Sequence, residues 1–143
     1  MAGVFTIPLI YQVGRRLVNH RVGLWSALFI AVFPFHVYYA QEARMYTLLG
    51  LLTTLSLLFF LKAIEHNRRY AWIGYGVCLA LGFYTHYFIV FVILAYHLYL
   101  LSNRRKYLHL WKPVLVTDCI LLLVFLPQVA NFLNQSKEVF QSY

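Results

Sequence analysis

Long apolar runs separated by short clusters of arginine and lysine limit what this chain can fold into more than any other feature. A bilayer core offers no water to backbone N–H and C=O groups, so runs of this kind satisfy themselves as helices. Six runs can be drawn, at about 2–13, 22–40, 43–61, 71–85, 87–101 and 113–132. The chain is 62% hydrophobic and only 11% charged, whereas a soluble domain carries about 25% charged residues. The expected fold class is all-α: a polytopic transmembrane helix bundle with about six membrane segments, forming one transmembrane domain over residues 1–143.

The net charge of +8 invites a nucleic-acid reading, but the arrangement argues against one. Arg15, Arg16 and Arg21 follow the first run, Lys62, Arg68 and Arg69 the third, and Arg104, Arg105, Lys106 and Lys112 the fifth. A nucleic-acid binder gathers its charges on one face of a soluble fold. Here they recur once per helix hairpin, as topology signals that place these three loops on the cytoplasmic side beside anionic headgroups. Only Arg44 and Lys137 fall on the other side. The same rule separates 71–85 from 87–101 as a hairpin turning near Tyr84-Thr-His-Tyr87, because a single span there would put the third basic loop outside. Each arm rises about 22 Å at about 1.5 Å per residue, short of the roughly 30 Å hydrocarbon core, so the turn is expected to be recessed. Pro34 either kinks the second run or ends it, leaving 34–42 as an external loop.

Cys78 and Cys119 lie inside apolar runs, show no disulfide or metal spacing, and read as small apolar packing residues. No basic n-region precedes the first run, so no cleavable signal peptide is visible. The first run is expected to begin within a span, as in a fragment of a longer protein.

The stretch Pro34-Phe-His-Val-Tyr-Tyr-Ala-Gln-Glu-Ala-Arg-Met-Tyr46 gathers a carboxylate, a guanidinium, an imidazole and three tyrosines at the edge of the lipid. Ionisable groups there are costly and commonly functional. Glu42 falls at the first turn of the third segment, where the helix dipole favours it, and Tyr46 lies at i+4 on the same face. The plainer reading is a capping glutamate, a headgroup-binding arginine and an interfacial aromatic belt of Tyr38, Tyr39, Tyr46, Tyr84 and Tyr87. The sharper one gathers His36, Glu42, Arg44, Tyr46 and His86 around a cavity open to the outer side. Arginine suits a phosphate. A carboxylate can take a hydroxyl proton or hold a divalent metal. His86 would share the phosphate site. His97 and Asp118 read instead as intramembrane polar groups paired between helices. No Gly-rich phosphate loop, His/Cys metal motif or nucleophile elbow is present, and no residue is assigned as a metal ligand.

Gly14-Arg-Arg-Leu, Val22-Gly-Leu-Trp-Ser-Ala-Leu, the 34–46 stretch continued by Thr-Leu-Leu, Leu79-Ala-Leu-Gly-Phe and Tyr84-Thr-His-Tyr-Phe88 together resemble glycosyltransferase family 39. These are the dolichyl-phosphate-mannose–protein mannosyltransferase-like enzymes of the GT-C class, and the resemblance covers roughly residues 3–110. It implies a GT-C-like fragment of an integral membrane glycosyltransferase. Such an enzyme moves a sugar from a polyprenyl- or dolichyl-phosphate-linked donor to a hydroxyl of a protein, lipid or glycan acceptor, on the non-cytoplasmic side. It also implies a plasma or inner membrane location in a prokaryote and the endoplasmic reticulum in a eukaryote. Glu42, Arg44 and Tyr46 match the family's second external motif and inherit a substrate-binding role. The family's acidic loop, whose carboxylate serves as base, would lie upstream of Met1, so the catalytic residue is unknown. The competing reading is a non-catalytic membrane module: a lipid-phosphate binder, a transporter part or a truncated pseudoenzyme.

Overall fold

In this computed structural model the structure describes residues 2–41 and 45–141, with side chains described as far as Leu126. All regular structure among them is helical: α1 (Ala2–Leu17), α2 (His20–Val32), α3 (Pro34–Gln41), α4 (Met45–His66), α5 (Arg69–Thr85), α6 (Ile89–Ser102), α7 (Arg104–Tyr107) and α8 (Trp111–Gln141), with a 3-10 turn at Leu108–Leu110. Large apolar side chains such as Phe29, Phe91 and Leu122 stay exposed on the outside of the bundle, as a lipid-facing surface requires. The chain is an integral membrane protein. Helix stands at each of the six apolar runs, but about six membrane segments are not confirmed: two or three candidate crossings stand among the described residues. By length and composition Met45–His66 and Arg104–Leu126 can cross a membrane, and a third crossing exists if α2 and α3 form one bent span. Helices α1, α5 and α6, at 16, 17 and 14 residues, are shorter than a full crossing needs.

Pro34 neither kinks a continuous helix nor opens a loop. The residue before a proline is pushed out of the helical region, and Phe33 is extended at ψ 117°. Pro34, which lacks an N–H, then occupies the first turn of α3, where none is needed. The two helices meet at 57°, which turns α3 back over the start of α1.

Helices α1 and α2 form a hairpin. Asn19 caps α2 by accepting the Val22 N–H at 2.9 Å, satisfying one of the free donors of the first turn. The helices cross where Gly14 faces Gly23: a Cβ on Gly14 would lie 2.9 Å from the Gly23 Cα, and one on Gly23 would lie 2.6 Å from the Tyr11 carbonyl. Close backbone approach through small residues is how helices associate in lipid. A second hairpin joins α4 to α5 through Asn67 and Arg68. Asn67 adopts φ 47°, a left-handed conformation that asparagine tolerates at a helix end, and its side chain accepts the Trp72 indole N–H at 2.9 Å.

The core lies between α4, α5 and α6. The Phe60 and Tyr96 rings stack at 4.6 Å, with Tyr75 against Tyr96 at 5.6 Å. The buried Tyr96 and Ser56 hydroxyls meet at 2.8 Å, so neither is left unpaired. Arg16 on α1 pairs with Glu65 on α4, drawing the first two basic connections to one end of the molecule.

Between α6 and α8, His97 Nε2 lies 2.9 Å from Asp118 Oδ2 while His97 Nδ1 lies 2.9 Å from the Ile93 carbonyl. The carbonyl can only accept, so Nδ1 carries hydrogen and a single shared proton joins Nε2 to the carboxyl. The pair is net neutral wherever that proton sits, and both groups tolerate an apolar setting. Replacing either His97 or Asp118 with Leu strands the other and is expected to destabilise the protein by about 1–3 kcal/mol. The double replacement should cost less than the sum of the two. Unfolding midpoints of the purified protein in a detergent series measure this coupling, and strict additivity would show that the contact contributes nothing.

Candidate functional site

Four parts of the chain meet at the end opposite the Arg16–Glu65 pair: the start of α1, the short α3, the start of α4 and the α5–α6 turn. Helix α3 is anchored to α1 by His36, whose Nε2 donates to the Gly3 carbonyl at 3.2 Å. It is anchored to α4 by the Thr47 hydroxyl, which donates to the Tyr39 carbonyl. The proline-directed bend thus carries two aromatic residues onto the α1–α4 interface.

A cleft of about 460 Å³ opens between these helices. Its walls are mainly apolar, from Ile10, Ile30, Phe33 and Phe35, with His36, Tyr39 and Tyr46 as polar-tipped rings and Thr47 held by its bond to the Tyr39 carbonyl. Thr6 and Thr54 also line it but spend their hydroxyls on the carbonyls of Ala2 and Gly50. Few placed polar groups in an apolar recess is the pattern of a small-ligand or lipid-headgroup site. Tyr39 and Tyr46 pack edge to face at 5.7 Å, the geometry that aromatic quadrupoles favour.

His86 reaches this assembly from the α5–α6 turn, with its ring 5.7 Å from that of Tyr46. It caps α5 in an extended conformation and stacks on Tyr87 at 4.5 Å. Its Nδ1 accepts the Phe88 backbone N–H at 3.2 Å. A neutral imidazole accepting at Nδ1 carries its hydrogen on Nε2, which makes His86 a donor toward an acceptor such as a phosphate oxygen.

The structure therefore brings together three of the five substrate-binding residues expected from the sequence: His36 and Tyr46 on the cleft wall, and His86 against Tyr46. Glu42 and Arg44 lie outside the described residues, as does the side chain of Lys137. Among the described residues no three His, Cys, Asp or Glu side chains gather as a metal site. Tyr39, Thr47 and Gly50 belong to the cleft as well. Tyr46, Gly50 and Thr54 follow one another at i+4 along α4, so helical spacing from Tyr46 was the signal that marks this wall. His97 and Asp118 are engaged with one another away from the cleft.

The helical fold and its cleft at one end define a class: integral membrane helix bundles with a recess between helix ends. The chain matches a family model described as dolichyl-phosphate-mannose-protein mannosyltransferase over residues 1–130. It belongs to that family, and the match extends the likeness read from the sequence motifs beyond residue 110. No curated protein and no solved structure matches the chain.

Gly50 provides a direct probe of the cleft. A Cβ at this position would meet nothing within 4 Å, and a helix-interior glycine is destabilising by roughly 0.5–1 kcal/mol relative to alanine. Gly50→Ala is expected to raise thermal stability slightly, and Gly50→Leu to fold normally while filling the recess. Abundance and detergent-solubilised elution profiles check both, and loss of folded protein in Gly50→Ala would show that the space is occupied.

Proposed function

We propose that this protein transfers a hexose, of the mannosyl type, from a polyprenyl- or dolichyl-phosphate donor to an acceptor hydroxyl on the side opposite its basic loops. The carrying observation is the meeting of His86 with Tyr46, 5.7 Å apart, beside the His36–Tyr39 wall of the cleft, within the span that the family model covers. In the reaction the acceptor oxygen attacks the sugar's anomeric carbon, and the bond from that carbon to the phosphate oxygen breaks. The lipid phosphate leaves with the electron pair, and the hydroxyl proton passes to a base. Negative charge grows on the phosphate, and fixed donors aimed there lower the barrier.

In this reading the His86 Nε2–H and the Arg44 guanidinium steady the departing phosphate, and Glu42 orients Arg44. The aromatic walls of Tyr39 and Tyr46 and the His36 ring shape the sugar subsite. The base is assigned to no residue of this chain, and no step is routed through a metal. The apolar flank of the cleft suits the first isoprene units of the donor. Residues 1–143 are read as one transmembrane domain of GT-C type.

The test uses membranes containing the protein and a short polyprenyl phosphate carrying radiolabelled mannose. Label reaching endogenous acceptors is compared with protein abundance. Arg44→Gln and His86→Ala are each expected to lower turnover on the order of a hundredfold at unchanged abundance, and Gly50→Leu to weaken donor use. Parallel losses of activity and abundance would assign these residues a structural role. A wild-type chain that binds the donor without turnover would establish the non-catalytic module instead.

Sidedness has its own check. With Cys78 and Cys119 replaced by alanine, a cysteine at the exposed Tyr87 position should react with a membrane-impermeant maleimide from outside. One at Asn103, beside the third basic cluster, should react only after permeabilisation. The reverse pattern would invert the proposed topology.

A further inference from the structure

We propose that a groove between α5 and α8, distant from the cleft, holds one acyl chain of an anionic phospholipid, with Arg69 at its mouth receiving the phosphate. Helices α5 and α8 run side by side in the same direction. A Cβ on Gly76 would lie 3.1 Å from Thr117, and the Phe83 and Phe125 rings pack at 3.9 Å. A channel of about 450 Å³ begins at Arg69 and runs past Trp72, Gly76 and Ala80 to Val124. At its far end the Tyr84 hydroxyl donates to the Val124 carbonyl at 3.1 Å.

The pattern along this groove is that of an amphiphile. Thr117, the polar side chain within it, donates its hydroxyl to the Pro113 carbonyl at 2.9 Å, so the interior presents no unspent polar group. Arg69 stands at one end and forms no ion pair among the described residues. A ligand that satisfies both ends has an anionic head and an apolar tail. At about 1.5 Å per residue the groove runs about 16 Å from Arg69 to Ala80, close to the roughly 15 Å of hydrocarbon in one leaflet. Arginine is also the side chain best fitted to a phosphate diester, through its planar fork of donors. The site is independent of the transferase reading and uses none of its residues.

Trp72 on the groove wall reports occupancy. It becomes the sole tryptophan once Trp25 and Trp111 are replaced by phenylalanine. The protein is reconstituted in phosphatidylcholine vesicles containing a minor fraction of dibrominated lipid, either phosphatidylglycerol or phosphatidylcholine, and Trp72 quenching by the bromines is compared. Brominated phosphatidylglycerol should match the quenching given by about fivefold more brominated phosphatidylcholine, the preference expected of one basic residue at a membrane surface. Arg69→Gln, a change at an exposed side chain, should abolish the preference. Arg68→Gln, one residue away and outside the groove, should retain it. Equal quenching by the two lipids in the unmutated background would overturn the proposal. So would an equal effect of Arg68→Gln, which would trace the preference to diffuse surface charge. Absence of quenching by either lipid would mean that protein, not lipid, fills the groove. Circular dichroism of each variant checks that its helices are intact.

Discussion

The packing of α4 against α1 and α5 is the interaction on which the rest depends. Its middle supplies Ser56 and Phe60 to the core around Tyr96. Its last turn supplies Glu65 to Arg16 and leads into the Asn67 turn that starts α5. Its first turn carries Tyr46 and Thr47 to the cleft. In lipid there is little hydrophobic drive to bring helices together, so association rests on close fit and hydrogen bonds between helices. The Gly14–Gly23 approach and the Ser56–Tyr96 bond serve those two roles. Moving α4 along its axis would disturb both ends at once.

That arrangement separates the molecule's polar features into two ends. One end collects basic connections, pinned by Arg16–Glu65 and by the Trp72–Asn67 bond. The other collects His36, Tyr39, Tyr46 and His86. Between them the polar groups of the helices are spent on one another, as in His97–Asp118 and in Thr117 on its own helix. A protein built this way offers ligands polar contact at its ends and apolar contact along its sides, which is the distribution an amphiphilic substrate needs. The mannosyltransferase family to which the chain belongs is concordant with it.

Much of this was legible in the residues. Helix occurs at each of the apolar runs, and the basic spacing predicted the hairpin turn that stands at His86. The resemblance carried by the 14–17, 22–28 and 34–49 motifs named the family that the comparison then showed. His97 and Asp118 were read as paired polar groups, and they pair with each other. Less legible were the fate of Pro34, where the sequence left a kink and a loop equally open, and the number of full crossings. Apolarity marks a segment as lipid-compatible, but crossing depends on uninterrupted length, and α1, α5 and α6 are short.

By itself the sequence determined helix, membrane and family, because each follows from local quantities: apolar run length, the placement of charge and short motifs. Tertiary structure alone decided that Pro34 opens a separate helix lying across α1, and that His86 meets Tyr46 from another hairpin forty residues away. It also decided that Gly50 faces open space while Gly76 lines the groove between α5 and α8. The reason is physical: a missing side chain is the same in every glycine, and whether it becomes a helix contact or a cavity depends on what the neighbouring helix places opposite it.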